Sequence, residues 1–552
     1  MQTSFGKLGV IGIRREDKSK WERRVVITPE HVSQLLKANP NIKVVVQPSN
    51  NRVFRDNEYE EVGAELNEDL SECSVIFGVK EIPIDKLIPN KTFVYFSHTI
   101  KAQEANMPAL DSILEKKIRL IDYEKITDSE GKRLVAFGKF AGNTGAIDFL
   151  HGLGKYFINL GYSTPFLNIS FAYTYPCLEK VKIALKDIGE QISNQGIPED
   201  FAPLVFGITS KGRCSDGVME ILGCLPYKVV DPDDLEALVK DKSNPNHKSQ
   251  IYISFIECKH MVKPINSNKT FSKEDYYQNP HQYTPIFHEK YLPYISVLYH
   301  CMYWDPKFPR MITCDQIKDL ALEKRLRLMG ICDITCDLEG SIEFLRQYTV
   351  IDRPFFIYDP INDTESYDCN APTKNILYHA VDHMPTELAF DASTHFSTKL
   401  LPFIEKMAFS DMEKPLEEQN LPPEIERAVI TWNGALTPKF KYIAGMRKVN
   451  EESKKKKNFK NKPNLKKNAS FTTLKIRGHL FDTQGINTIF DKLEEYGVKF
   501  RVLEMDIGQS SDERTSAFVQ VFAKDPKNFN AAIEEVYEVA EKNKLEVSES
   551  AK

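Results

Sequence analysis

Lys80 and Glu81 end the apolar run SVIFGVKE, His98 ends TFVYFSH, and Arg24 in WERRVVITP precedes a turn into helix. Parallel strands bring their C-terminal ends into one cleft, so groups placed in this way can meet although they are far apart in sequence. A lysine withdrawn from water has its pKa lowered into the range useful for proton transfer, and histidine titrates there already. Taken singly, each has a plain reading: a lysine beside an acid is a solvated pair, and a lone histidine is structural. As a set on neighbouring strands, they point to acid–base chemistry.

A second pattern lies further on. The run PLVFGIT enters SKGRCSDG and then VMEILGCL, whose Val218, Ile221 and Leu222 are helically spaced. Strand, glycine-containing turn and helix aim backbone N–H groups and a positive helix end at a pyrophosphate, with Gly212 and Gly217 as the informative residues. Asp231 closes the next apolar run, YKVVD, where an acid can take ribose hydroxyls. Ser210 stands where such a turn usually has its first glycine, and two glycines in a turn occur in many proteins, so on local pattern alone nucleotide binding stays open. Asp337, in ICDITCDLEG, follows a strand expected to face the same cleft, and its plain reading is a loop-entry aspartate.

The elements that must position these groups follow from periodicity. Up to about residue 125 the runs LGVIGI, IKVVVQ, SVIFGV, TFVYFS and IRLIDY alternate with polar segments. One of these, PEHVSQLLKAN, places Val32, Leu35 and Leu36 at helical spacing behind a Thr28-Pro29 start. A long helical segment, PCLEKVKIALKDIGEQISNQG, leads to a second series: PLVFGIT, YKVVD, QIYISF, LRLMGICDIT, FFIYD and NILYHAVD. Near-continuous apolar strands alternating with helices imply parallel sheets covered on both faces. The expected class is α/β: two Rossmann-like, doubly wound domains over 1–200 and 201–383. Residues 384–446 then return to the first domain, 447–469 form a linker, and 470–552 form a small βαββα unit of ferredoxin-like or ACT-like type. The linker, with nine lysines from Lys448 to Lys467, has the composition of a solvated tether. In the last unit Ile486, Ile489, Phe490 and Leu493 make one buried stripe, and Ile533, Val536, Tyr537 and Ala540 another.

Composition bounds the function. With 41% hydrophobic and 27% charged residues, the 552-residue chain is composed like a folded globular protein, and no apolar run approaches the roughly 18–20 residues that cross a bilayer. A net charge of −5 gives no global case for nucleic acid. The ten cysteines are sparse and lack metal-ligand spacing, so no metal is expected and they read as reduced thiols. The N-terminus offers neither a signal-peptide core nor a presequence, which makes the cytoplasm the expected compartment.

At these residues the sequence resembles lysine-2-oxoglutarate reductase, the saccharopine-forming part of aminoadipic semialdehyde synthase. The segments GIRRED...ERRVVITP, VKEIP, FVYFSHTIKAQ, LIDYEKITDSEGKRLVAFGKFAG, ITSKGRCSDG, LPYISVLYHCMYW, GICDITCDLEGSIEF and AVITWNGALTPKFKYIAGMR carry it, in the family's order, over about residues 8–447. GHLFDTQGIN and MDIGQSSDE resemble the small region that joins the reductase to saccharopine dehydrogenase in plant-type bifunctional proteins, whose dehydrogenase half is not expected here. The resemblance implies an alanine dehydrogenase-like fold with the site between two domains. It also implies condensation of L-lysine with 2-oxoglutarate and reduction to saccharopine by NADPH. Lys80 and His98 align with the family's acid–base pair, Glu81, Glu124 and Arg133 with positions lining the site, and Arg24 with a carboxylate clamp. Asp337 is expected near the nicotinamide. In the cofactor turn, Ser210, Lys211, Gly212, Arg213 and Gly217 are expected to contact the dinucleotide. Asp231 favours NADH by the general rule, whereas Lys211 or Arg213 can accommodate a 2′-phosphate, so NADPH rests on the resemblance and NADH stays open. A homo-oligomer, a separate saccharopine dehydrogenase as partner and a mitochondrial location, as in related animal enzymes, also stay open. The competing readings are an alanine dehydrogenase- or opine-type reductase of the same fold and a non-catalytic scaffold whose turn no longer binds nucleotide.

Overall fold

The computed structural model describes residues 8–369, 374–411, 414–448, 470–478, 485–506, 515–523 and 525–550; most of the lysine-rich segment 447–469 lies outside them. The chain divides into a large unit ending at Ala444 and a small one beginning at Gly445.

The large unit holds two main sheets. In the first, β1 (Gly9–Ile13), β2 (Ile42–Val46), β3 (Glu65–Leu66), β4 (Val75–Phe77), β5 (Thr92–Tyr95) and β6 (Arg119–Asp122) pair in the order β3-β2-β1-β4-β5-β6, all parallel. Every residue of β1, β4, β5 and β6 is buried, as expected of strands covered on both faces. The covering helix Pro29–Ala38 starts at Thr28, whose extended backbone and the following proline set its first turn, and it buries Val32 and Leu35.

The second sheet contains β7 (Leu204–Thr209), β8 (Tyr227–Val229) and β9 (Ile251–Ile256), and a separate hairpin is formed by β10 (Val262–Pro264) and β11 (Tyr283–Pro285). The sheet continues with β12 (Val297–His300), β13 (Gly330–Asp333), β14 (Phe355–Asp359), β15 (Thr364–Ser366) and β16 (Ile376–His379). Its order is β15-β14-β16-β13-β12-β7-β9-β8. Two features depart from expectation. The run FFIYD is antiparallel: β14 pairs antiparallel with β16, and a tight turn with Asp363 at φ 54° folds the chain back so that β15 pairs antiparallel with β14 as a hairpin. The strand beside β7 is β9, which displaces β8, the strand leading to Asp231, to the outer edge.

Against the second sheet runs a 22-residue helix, Gly138–Asn159, that buries fifteen residues along its length and meets Cys332 of β13 and Phe355 of β14 at its glycines. It lies against the helix Arg213–Leu222 so closely that a Cβ on Gly142 would stand 1.9 Å from the Cys214 carbonyl oxygen, and one on Gly217 would stand 2.0 Å from that of Lys139. After β16 the chain forms the helix Ala389–Ala408, which packs on the first sheet: Ser393 Oγ accepts from Val25 N–H at 2.9 Å, and Ala408 O accepts from Ser74 Oγ at 2.9 Å.

The small unit has a four-stranded antiparallel sheet in the order Lys499–Asp506, Thr515–Ala523, Ser470–Gly478, Glu546–Ser550, with helices Gly485–Glu495 and Pro526–Lys542. The final strand extends the expected βαββα order to βαββαβ. Leu474, Ile476, Ile489, Leu493, Val519, Val521 and Val536 form a core of its own, while Tyr537, expected in the buried stripe, is exposed.

Candidate functional site

Each site side chain sits where an apolar strand ends and the chain turns. Lys80 follows β4, His98 follows β5, and Glu124 follows β6; Arg133 reaches the same place from the loop before the Gly138–Asn159 helix. With Arg24 they line a cavity of about 480 Å³, whose opposite wall is Gly212, Arg213 and Cys214 from the second sheet's turn, Cys301 after β12, and Asp382 and His383 after β16.

Two enclosed carboxylates set the backbone of this wall. Glu16 takes the N–H of Val79 at 2.7 Å and of Lys80 at 3.0 Å on its two oxygens. Asp122, fully buried, takes Ser97 N–H at 3.0 Å on Oδ2 and Glu124 N–H at 2.8 Å on Oδ1, so one side chain fixes the loops carrying His98 and Glu124. Desolvation, with the charge of Glu22 added, pushes Glu16 up to about 7 against the pull of its two N–H donors. Burial also raises Asp122.

The titratable groups are arranged in pairs. His98 Nδ1 is hydrogen-bonded to Glu81 Oε1, and Glu81 Oε2 takes Lys18 Nζ at 2.6 Å. Burial alone would raise Glu81, but the hydrogen bonds from His98 and Lys18 outweigh it and hold the carboxyl well below its ordinary range. Lys80 is lowered, first by desolvation and then by the charge of Arg24, which is the shift a proton-transferring lysine needs. His98 has φ 51°, a left-handed backbone that costs a non-glycine residue of the order of 1 kcal/mol or more and that marks functional turns. His383 Nδ1 pairs with Asp382 Oδ1; that bond lowers Asp382 most, and the positive charge of Lys80 lowers it further.

Arg24 differs from a free clamp. Its guanidinium is 4% exposed and already forked onto Glu22, with Nε to Oε1 at 2.8 Å and Nη2 to Oε2 at 2.6 Å, and it lies 4.2 Å from the Phe137 ring centroid. Arg133 is the more available cation: its side chain is 48% exposed and its Nη2 lies 3.4 Å from Glu124 Oε1.

In the second sheet's turn, Ser210 has φ 65°, so it adopts the left-handed conformation for which the usual glycine is suited. Gly212 caps the helix Arg213–Leu222, with its N–H on Ser215 Oγ at 2.8 Å, and its Cβ position has nothing within 4 Å. An open backbone at a ten-residue helix N-terminus fits a phosphate. A second cavity of about 270 Å³, walled by Tyr276, Tyr277, Trp304 and Phe308, also begins at Ser210 and shares Cys301 with the first. The two cavities thus lie beside this turn, with Ser210 on the aromatic one and Gly212 on the cleft.

Not all expected residues join. Arg213 lines the cleft and donates through Nη2 to the Arg133 carbonyl, whereas Lys211 pairs with Glu257 at 2.8 Å on the other side of the turn. Gly217 serves helix–helix contact, as its neighbour Lys139 shows, and does not line either cavity. Asp231 lies at the edge strand, and Asp337, on the loop after β13, is outside both linings. Sequence reading missed Glu16, Glu22, Asp122, Asp382 and His383. For Asp382 and His383 the available signal was their place just after the run NILYH; the work of the other three depends on partners met only in the fold.

Comparison with known proteins adds to this geometry. The family model "Alanine dehydrogenase/PNT, N-terminal domain" matches residues 12–144, and "LOR/SDH bifunctional enzyme conserved region" matches 471–551. An alpha-aminoadipic semialdehyde synthase of Arabidopsis thaliana is 41% identical over 98% of this chain and 51% of its own length. The mitochondrial alpha-aminoadipic semialdehyde synthase of Mus musculus is 37% identical over 80% of this chain and 48% of its own. The saccharopine dehydrogenase [NAD(+), L-lysine-forming] of Neurospora crassa is 25% identical over 71% of this chain and 90% of its own. Among solved structures, an L-alanine dehydrogenase aligns with 79% of this chain and 99% of its own at 14% identity and a TM-score of 0.49. The chain is thus a relative of the alpha-aminoadipic semialdehyde synthases, similar to them along nearly all of its sequence while spanning about half of theirs.

Proposed function

We propose that this chain is a lysine-2-oxoglutarate reductase that condenses the ε-amine of L-lysine with the ketone of 2-oxoglutarate and yields saccharopine with NADPH. The observation that carries the reading is the meeting of Lys80, His98, Glu124 and Arg133 with the Gly212 turn in one cleft of about 480 Å³. Held along the Ser210–Gly212 turn, the nicotinamide cofactor would supply the hydride. Lys80, with its lowered pKa, and His98, held by Glu81, move the protons that amine addition to the ketone and loss of water require. Arg133 meets a carboxylate of the keto acid; Arg24, neutralised by Glu22, orients the wall and engages substrate only through what its fork leaves free. Glu124 receives the lysine ammonium.

Finer parts of the reading belong here too. The domain limits are 1–200, 201–383 and 384–446, and the small unit from 470 is ferredoxin-like or ACT-like, supported by its strand order. Ten free thiols favour a cytoplasmic setting.

The test is oxidation of NADPH, and separately of NADH, by the purified protein with L-lysine and 2-oxoglutarate, with the product mass checked for saccharopine. Turnover requiring both substrates is expected. Lys80→Met is expected to lower it at least about 100-fold, the usual weight of a general acid–base group, with cofactor affinity unchanged. Equal rates for Lys80→Met and the parent would sink the assignment of Lys80, and absence of turnover in both would sink the enzyme.

A further inference from the structure

The order of the second sheet bears on how the cofactor is chosen. In a dinucleotide fold, the acid that meets the adenosine ribose stands at the end of the strand adjoining the one that feeds the glycine turn. Here that neighbour is β9, paired with β7 from Leu204↔Ile251 to Thr209↔Ile256, and β8 lies one strand further out. The residue that follows β9 is Glu257. The turn is tied to this strand end by Ser210 N–H on the Ile256 carbonyl at 2.9 Å, and by Lys211 Nζ on Glu257 Oε1 at 2.8 Å. Asp231 is engaged elsewhere: its carboxylate accepts the N–H of Asp233 at 3.0 Å and caps its own turn. Arg213 faces the other cavity. The aromatic chamber that could hold a purine is bordered by Ser210 and by Cys258, the residue next to Glu257.

We propose that the Lys211–Glu257 pair, and not Asp231, reads the 2′ position of the cofactor's adenosine ribose. Glu257 accepts from ribose hydroxyls, and Lys211 meets a 2′-phosphate. The pair is well placed to exchange partners. Lys211 and Glu257 side chains are 62% and 42% exposed, and an exposed ion pair is weakly held, so the ammonium can leave the carboxylate for a more highly charged phosphate at little cost. This inference rests on the nicotinamide-cofactor reading above.

The experiment is equilibrium binding to the full chain, followed by protein and nicotinamide fluorescence, with NADPH and NADH as ligands and 2′,5′-ADP and 5′-ADP as competitors. Lys211→Ala is expected to weaken NADPH and 2′,5′-ADP by about ten-fold or more, the weight of a charged hydrogen bond, and to leave NADH unchanged or tighter. Glu257→Gln is expected to weaken NADH and tighten NADPH, and Asp231→Asn to alter neither. A changed NADPH/NADH ratio in Asp231→Asn, with parental ratios in Lys211→Ala and Glu257→Gln, would overturn the proposal. Binding of neither cofactor by the parent overturns the cofactor reading and this proposal together. Binding of NADH alone, lost in Glu257→Gln, overturns only the NADPH reading and leaves Glu257 as the ribose acid.

Discussion

Glu16 is held by opposite demands. Its oxygens accept two backbone N–H groups, which favours the carboxylate, while desolvation and Glu22 favour the acid and bring it up to about 7. Its folded pKa lies above its ordinary value of 4.5, so the folded state keeps a proton that the unfolded chain has lost. Its contribution is therefore most favourable at low pH and is lost as pH rises from about 4.5 through about 7. Glu16→Gln should flatten that part of the stability profile, seen as a smaller fall in Tm between pH 5 and pH 7 than in the parent; an unchanged slope would remove Glu16 as its source. At this scale the sequence was readable where chemistry follows residue type. Lys80 and His98 each end an apolar run, and parallel pairing puts such ends together, while Arg24 precedes the turn into a helix. Glu16, Glu22 and Asp122 were not readable, because their work is to accept from particular N–H groups or to neutralise a particular arginine. Those partners exist only once the loops are folded.

The strands were largely legible, since residues buried on both faces leave continuous apolar runs. The Gly138–Asn159 helix was not. Five glycines in GKFAGNTGAIDFLHGLGKYFIN lower its intrinsic helicity, and what stabilises it is burial against the second sheet and the Arg213–Leu222 helix. Those glycines are spaces that neighbours fill: Phe355 stands 2.5 Å from a Cβ on Gly152, and Phe166 backbone 2.6 Å from one on Gly154. The position of β8 was equally hidden, because pairing order is a long-range property that YKVVD and QIYISF do not encode separately. Element packing makes a sharp contrast testable. Gly217→Ala should lose about 1–3 kcal/mol by overpacking, read from the urea midpoint at unchanged slope. Gly212→Ala, with open space around it, should stay within about 0.5 kcal/mol yet weaken nucleotide binding by crowding the phosphate. Equal destabilisation by the two would mean that the helix contact is not what requires glycine at 217.

On the scale of the whole molecule, the two units have separate cores. Leu474, Ile489, Val519 and Val536 belong to the small one, and the residues around the cleft belong to the large one. A fragment of residues 470–552 should therefore unfold cooperatively by itself, and a chain ended at 448 should bind cofactor with the parent's affinity; a non-cooperative melt of the fragment would show that its core needs the rest of the chain. Within the large unit, Asp122 spans two loops with one carboxylate. It spaces His98 from Glu124 without lining the cleft itself. The cleft thus separates instruction from contact. Under the proposed function, substitutions at 16 and 122 would retime proton movement while the residues that line the cleft stayed the same, so speed and choice of substrate are set by different side chains.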